Sequence, residues 1–227
     1  VDALESALTA IVGRHESLRT AFRREEGQPV QVVLPPSSVT LQRMDLSAGG
    51  ERRGQLDALI AEEIARPFDL ESGSLLRASL YDVGDRERVL LFVAHHIVSD
   101  GWSMGVFARE LTALYASFAA GAEPALPTLP IRYTDYAWWQ REWLNGDALR
   151  SELEHWRARL DGAPRVLDLP NDRPRPPVET HRGDRLSGTF PGELGSALTA
   201  LGRREGATLF MTLLAAFYVL LSRHAGQ

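Results

Sequence analysis

The sequence predicts an α/β fold, and three patterns predict it. Two apolar stretches with strand character, Leu75–Val83 and Arg88–His95, flank a Gly84-Asp85-Arg86 turn. Apolar residues recur every three or four positions elsewhere, most clearly in Val1–Arg14 and Trp102–Ala119, as helices with one buried stripe require. Strand and helix signals alternate along the chain instead of segregating, the order in which helices pack on a sheet.

Each element has its own signal. Leu4, Leu8, Ile11 and Val12 share one face of the first helix. Leu18–Arg24 and Val30–Leu34 read as short strands joined through Glu26-Gly27-Gln28, a hairpin turn, and Val39–Leu46 is a third strand candidate. Gln55–Ala65 places Leu56, Leu59, Ile60 and Ile64 at helical spacing. Trp102–Ala119 turns Val106, Phe107, Leu111, Leu114 and Phe118 inward and ends at Gly121. Tyr133–Leu160 reads as helix, broken at Asn145-Gly146-Asp147. Composition then shifts: five of the thirteen prolines fall between Pro164 and Pro177, and Pro170–Pro177 forms neither helix nor central strand, so it reads as an extended linker. Beyond it come a strand candidate, Arg185–Phe190, and two helices, Glu193–Glu205 and Thr208–His224. Val1 falls inside a helical pattern and the last helix runs to the final residues, so both ends read as cuts in a longer chain.

Composition excludes several function classes. With 227 residues, 44% hydrophobic and 24% charged, the chain has globular proportions and room for a core. It has no cysteine, which removes disulfides, thiolate nucleophiles and thiolate metal sites. Every basic residue is arginine, which removes lysine as Schiff base or general base. A net charge of −5 with interspersed charges offers no basic groove for nucleic acid. No apolar run reaches the ~18 residues of a membrane span, and no basic-then-apolar leader opens the sequence. The expectation is a cytoplasmic protein with neither membrane nor nucleic acid as partner.

One dense constellation carries chemistry: His95-His96-Ile97-Val98-Ser99-Asp100-Gly101-Trp102-Ser103, where an apolar strand ends and a helix begins. A histidine at a strand's end is held by a rigid element, as a positioned base requires, and imidazoles exchange protons near neutral pH. Adjacent strand residues face opposite ways, so His95 and His96 cannot both serve one site. The residues favour His95 as the buried, hydrogen-bonded one. Asp100 is placed to fix the loop or pair with an arginine, and Asp100 or Ser103 to cap the helix. Gly101 lets the backbone approach a reacting group and leaves a free N–H at the helix start. A metal held by His96 and Asp100 would need a third ligand, and no second His/Asp cluster offers one. A turn without chemistry is the remaining alternative. No Gly-x-Ser-x-Gly elbow, Cys or Lys accompanies the histidine, so the pattern fits direct transfer between two bound substrates better than a covalent enzyme intermediate.

Two other clusters have plain structural readings. Arg14-His15-Glu16-Ser17-Leu18-Arg19-Thr20 fits a helix terminus with favourable basic charge, and Tyr133-Thr134-Asp135-Tyr136-Ala137-Trp138-Trp139 fits aromatic helix packing.

Together the three clusters resemble a known family. His95–Ser103 is similar to the HHxxxDGWS motif of nonribosomal peptide synthetase condensation domains, Arg14–Phe22 to their RHExLRTxF motif, and Tyr133–Trp139 to their YxD(F/Y)AxW motif. Trp156 through Leu169 to Pro176 also resembles the segment leading to their inter-lobe linker. The resemblance implies a chloramphenicol acetyltransferase-like lobe over residues 1–170, a linker over 171–184, and the beginning of a second, similar lobe over 185–227. The family's first motif and all motifs of the second lobe are missing, so residues 1–227 alone are expected to be inactive. Carried over by position, His96 would be the active-site residue and Gly101 would lie beside the thioester. Asp100 would be structural, with Arg19 as its ion-pair candidate, and His95, Trp102 and Ser103 would support the site. Tyr133, Asp135 and Trp139 would pack the family motif. The implied reaction is attack of an acceptor aminoacyl amine on a donor acyl thioester, with no metal and no cofactor held by the domain. Substrates would ride on 4′-phosphopantetheine of an upstream donor and a downstream acceptor carrier domain, with an adenylation domain adjoining. The motifs look most like the subtype joining an L-donor to an L-acceptor. Epimerization, stand-alone acyl transfer and a non-catalytic carrier-binding platform remain alternatives. Heterocyclization is disfavoured, since it replaces the double histidine.

Overall fold

Helix α1 (Asp2–Arg14) buries one stripe, Ala7, Leu8, Ile11 and Val12, and carries Asp2 and Glu5 in its first turn, where the helix dipole favours acids. A 3-10 turn at Glu16–Arg19 leads into β1 (Thr20–Glu25), which pairs antiparallel with β2 (Gln28–Val33). The two residues between these strands, Glu26 (φ 50°) and Gly27 (φ 81°), are both left-handed. That is the hairpin turn whose twist matches the strands; glycine adopts it freely, whereas glutamate does so at a cost. The computed structural model describes residues 1–48, 50–84, 86–174, 176–180, 183–184 and 186–226.

The second sheet has the order β3-β4-β5. Strand β3 (Gln42–Asp45), shorter than the Val39–Leu46 expected, runs parallel to β4 (Leu76–Gly84), and β5 (Glu87–Ala94) runs antiparallel to β4. Parallel neighbours need a crossover, here containing α2 (Arg52–Ala65). Alternation along the strands gives the sheet two buried faces. Tyr81, Val83, Val89 and Leu91 pack with Leu56, Leu59 and Ile60 of α2. Ala78, Leu80 and Leu90 pack with Leu8 of α1 and with Phe107 and Leu111 of α3 (Gly101–Ala119). Ala7 and Ile11 meet Leu114 between the two helices, and Phe92 stacks on Phe107 at 3.9 Å. Each fully buried leucine contributes about 2 kcal/mol by removing apolar surface from water. Helices on both faces therefore fix the end of β5, from which the histidine motif projects. Of the expected β4–β5 turn, Gly84 and Arg86 are both left-handed, and Asp85 lies outside the described residues.

Helices α4 (Tyr133–Trp143) and α5 (Gly146–Leu160) break at 144–145, close to the expected position, with Gly146 at φ 54°. By internal contacts the chain forms two units, Val1–Arg150 and Ser151–Gln227. The proline-rich stretch falls in the second unit and has no helix or strand among its described residues; Arg175, His181 and Arg182 lie outside them. The second unit's α6 (Gly192–Arg204) and α7 (Leu209–Ala225) meet at an angle of 101°. Gly202 permits the close turn, because a Cβ there would stand 2.9 Å from both the Ala207 carbonyl oxygen and Thr212 Oγ1. No single helix among the described residues is long and apolar enough to cross a membrane.

One expected element is corrected. Residues 186–190 form no strand and are exposed, and Arg185 lies outside the described residues. A strand is stable only when its N–H and C=O groups find a ladder partner, and the second unit holds no other strand among its described residues.

Candidate active site

The turn from β5 to α3 is built mostly from its own residues. The His95 N–H donates to the Leu75 carbonyl (3.0 Å), and the His95 carbonyl accepts from the Val98 N–H (3.1 Å) and Ser99 Oγ (3.2 Å). The His95 ring accepts the Ile97 N–H at Nδ1 (3.0 Å) and stands edge-on to Phe68, over whose ring the Arg77 guanidinium lies 3.8 Å from the centroid. His95 is thus engaged in holding the loop. His96 is exposed, makes no hydrogen bond among the described residues, and lines an open cleft of about 360 Å³ with Ile64, Phe92, Ser99, Asp100, Gly101 and Met104.

Asp100 caps α3. Its Oδ1 accepts from the Ser103 N–H (2.8 Å) and Ser103 Oγ (2.7 Å), while the Asp100 N–H donates to Ser103 Oγ (3.2 Å). The reciprocal capping box satisfies donors that a helix start leaves orphaned. The Ser103 hydroxyl, then the Ser103 N–H, hold the Asp100 carboxyl below its ordinary range, with a smaller contribution in the same direction from nearby His96. Gly101 occupies the first helical position. Its N–H has no partner among the described residues, and the space its Cβ would fill is open, so a reacting oxygen could approach that donor.

Three expectations are corrected here. Arg19 does not pair with Asp100. Its guanidinium donates to the Leu34 carbonyl and to the Gly13 carbonyl (3.5 Å) and lies 3.6 Å from Glu16. Glu16 is one turn away on the same 3-10 segment, so that partner costs no loop closure, while Asp100 is occupied by its cap. Trp102 is 83% exposed and belongs to none of the buried clusters among the described residues, so it does not act as a packed support. Tyr133 and Trp139 are about half exposed and stack along α4 with Tyr136 and Trp143 at 5.7–6.0 Å instead of entering the core. Asp135 caps α4 by accepting the Arg132 N–H (2.9 Å).

The residues that sequence reasoning undervalued are Arg14, His15 and Glu16. Arg14 Nε (3.2 Å) and His15 Nε2 (2.7 Å) grip the two oxygens of Glu110 on α3, and Arg14 Nη2 donates to the Pro127 carbonyl (2.6 Å). Glu16 accepts from Arg132 (2.8 Å) and Thr134 (3.0 Å) at the start of α4. The segment locks α1, α3 and α4 together. Only its alternating charge signs hinted at this, because the partners lie about a hundred residues away. No group of three His, Asp or Glu that could hold a metal converges among the described residues.

The model of the family described as Condensation domain matches residues 1–227. The chain belongs to the condensation-domain family. Malpinin synthetase of Mortierella alpina is 45% identical over 225 residues, which is 99% of this chain and 3% of that protein. Phosphinothricin tripeptide synthetase PhsC of Streptomyces viridochromogenes is 44% identical over 228 residues, covering 100% of this chain and 21% of its own length. Among solved structures, the X-domain from teicoplanin biosynthesis, in its complex with OxyB, matches at a TM-score of 0.84 and 30% identity over 100% of this chain and 50% of that one. The chain thus spans a small part of those curated relatives and half of that solved chain. Its α/β architecture is the chloramphenicol acetyltransferase-like fold of condensation domains, and condensation domains as a family are acyltransferases.

Proposed function

We propose that this chain supplies one half of a site that forms peptide bonds in nonribosomal peptide synthesis. The observation that carries the reading is His96, unbonded in an open cleft beside the free N–H of Gly101, in a condensation-domain chain. The acceptor's aminoacyl amine attacks the donor's thioester carbonyl. The new C–N bond forms, the C–S bond breaks, and the donor's phosphopantetheine thiol leaves with the proton. An α-ammonium titrates near ~8, so a usable fraction of amine is already neutral at pH 7. His96 therefore acts on the tetrahedral adduct, taking the proton the nitrogen must lose, or orients the amine. The Gly101 N–H faces the oxygen that gains charge. The partners are a donor and an acceptor carrier domain with an adenylation domain adjoining, in the cytoplasm; the domain holds no cofactor of its own.

The X-domain match favours a second reading, a recruitment platform, because that structure is a complex with another protein, OxyB. The test uses the full parent protein with both carriers loaded, and mass spectrometry to follow acyl transfer in wild type and His96→Ala. Transfer lost in a folded variant supports condensation. Exchange of the donor's α-proton without transfer means epimerization, and carrier binding with neither signal means the platform.

A further inference from the structure

We propose that Arg77, which lies outside all three sequence motifs, is a positioning residue that sets two walls of the His96 cleft. Its effect on transfer rests on the peptide-bond reading above; its effect on the shape of the cleft does not.

Arg77 stands on β4 with its side chain only 14% exposed. Its Nε donates to Glu63 Oε1, a carboxylate that Arg66 also grips at 3.0 Å. Nη2 donates to the carbonyls of Glu63 (2.9 Å) and Arg66 (2.8 Å), and Nη1 to that of Pro67 (3.3 Å). These carbonyls lie in the last turn of α2 and just beyond it, where a helix leaves acceptors without intrahelical donors. That last turn has no basic residue of its own, so the sheet supplies the donors. A planar guanidinium fork can span a carboxylate and several carbonyls at once, which a compact ammonium cannot.

The same guanidinium covers Phe68, and Phe68 meets the His95 ring edge-on at 5.9 Å between centroids. His95 accepts the Ile97 N–H at Nδ1 and so ties the chain across His96. Ile64, in the last turn of α2, lines the His96 cleft. Arg77 therefore acts on the cleft by two routes: through the end of α2 it places Ile64, and through Phe68 and His95 it places the turn that carries His96. A largely buried ion pair stabilises a fold little better than apolar side chains of the same volume. What the fork adds is direction, fixing the end of α2 and Phe68 to one point of the sheet.

The test uses the full parent protein with both carriers loaded and has two readouts. One is millisecond-labelling hydrogen exchange of the turn His95–Asp100, with the hairpin Thr20–Val33 as internal reference; the other is kcat and carrier KM for acyl transfer. Phe68→Leu keeps apolar bulk and loses the ring that links the guanidinium to His95. It is expected to speed exchange of the turn about tenfold while the hairpin stays within about twofold. It is also expected to lower kcat about tenfold with carrier KM unchanged. Phe68→Tyr, which keeps the ring, is expected to restore both to within about threefold of wild type. Arg77→Lys, which keeps the charge and loses the fork, is expected to match Phe68→Leu; if it does not fold, the two Phe68 variants decide. Turn exchange in Phe68→Leu equal to wild type overturns the proposal. So does exchange that rises equally in turn and hairpin, which would assign the contacts to general stability, and so does a faster turn with unchanged kcat. A faster turn in Phe68→Leu, when wild type itself shows no transfer, supports the placement of the cleft and rejects the peptide-bond reading instead.

Discussion

The histidine turn and the Arg14–Glu16 segment are both short polar stretches at the end of a regular element, yet they are wired in opposite ways. Hydrogen bonds in the turn mostly join residues two to four positions apart, as in His95 to Ile97, Ser99 to His95 and Asp100 to Ser103. The side-chain hydrogen bonds of Arg14, His15 and Glu16 reach residues 95 to 118 positions away. A locally wired turn keeps its shape without recruiting the rest of the molecule, and it leaves His96 and the Gly101 N–H without a partner among the described residues. The long-range segment spends most of its charged groups in joining helices. Chemical potential and structural load are thus carried by different motifs.

Substitutions should separate the two roles. His96→Ala in the full parent protein is expected to lower acyl transfer by about 10²–10⁴ if the imidazole handles a proton, with the melting temperature unchanged. A loss below tenfold would reject that role. Glu16→Ala is expected to show the reverse: it leaves Arg19 and Arg132 without their carboxylate at a site where Glu16 is only 12% exposed, and should cost about 2–4 kcal/mol in denaturant unfolding. Unchanged stability would mean the segment is not the joint described here.

Asp100 lies between these extremes, as a local contact with a structural purpose. Its carboxyl is held below the ordinary range by Ser103. The stabilisation it adds is therefore present above the unfolded-state value, near ~3.9, and is lost as pH falls through the lower folded-state value. Asp100→Ala should melt below wild type at pH 7, and the two curves should converge as acidification carries the pH through the carboxyl's lowered folded-state value. A gap that widens in acid would contradict the cap. The smallest effect is expected at the hairpin: Glu26→Asn, better suited to a left-handed turn before Gly27, should raise stability by about 0.5 kcal/mol and leave transfer untouched.

Legibility followed the same division. Strand alternation and helix capping are local rules, and the geometry of the two histidines follows them in part: His95 ties its ring to the loop but is half-buried and not buried as expected, while His96 is exposed in its cleft. The expected Arg19–Asp100 pair bridges distant residues, beyond the reach of any local rule. It is not formed, because each residue found a nearer partner. Tyr133 and Trp139 read as packing residues by composition, but whether an aromatic helix face is covered depends on what else lies against it.

By itself the sequence determined most of the elements, though the strand expected at 185–190 is not among them, together with the hairpin at Glu26-Gly27 and the placement of a histidine pair between strand and helix. Periodicity, turn chemistry and capping act within a few residues and leave their marks in order along the chain. Only the tertiary structure decided that Glu110 belongs with Arg14 and His15, and that Glu16 belongs with Arg132 and Thr134. Such contacts arise when burial of helix stripes against a sheet brings distant segments together. A charge or an imidazole carries no local signal of the partner that packing will bring to it.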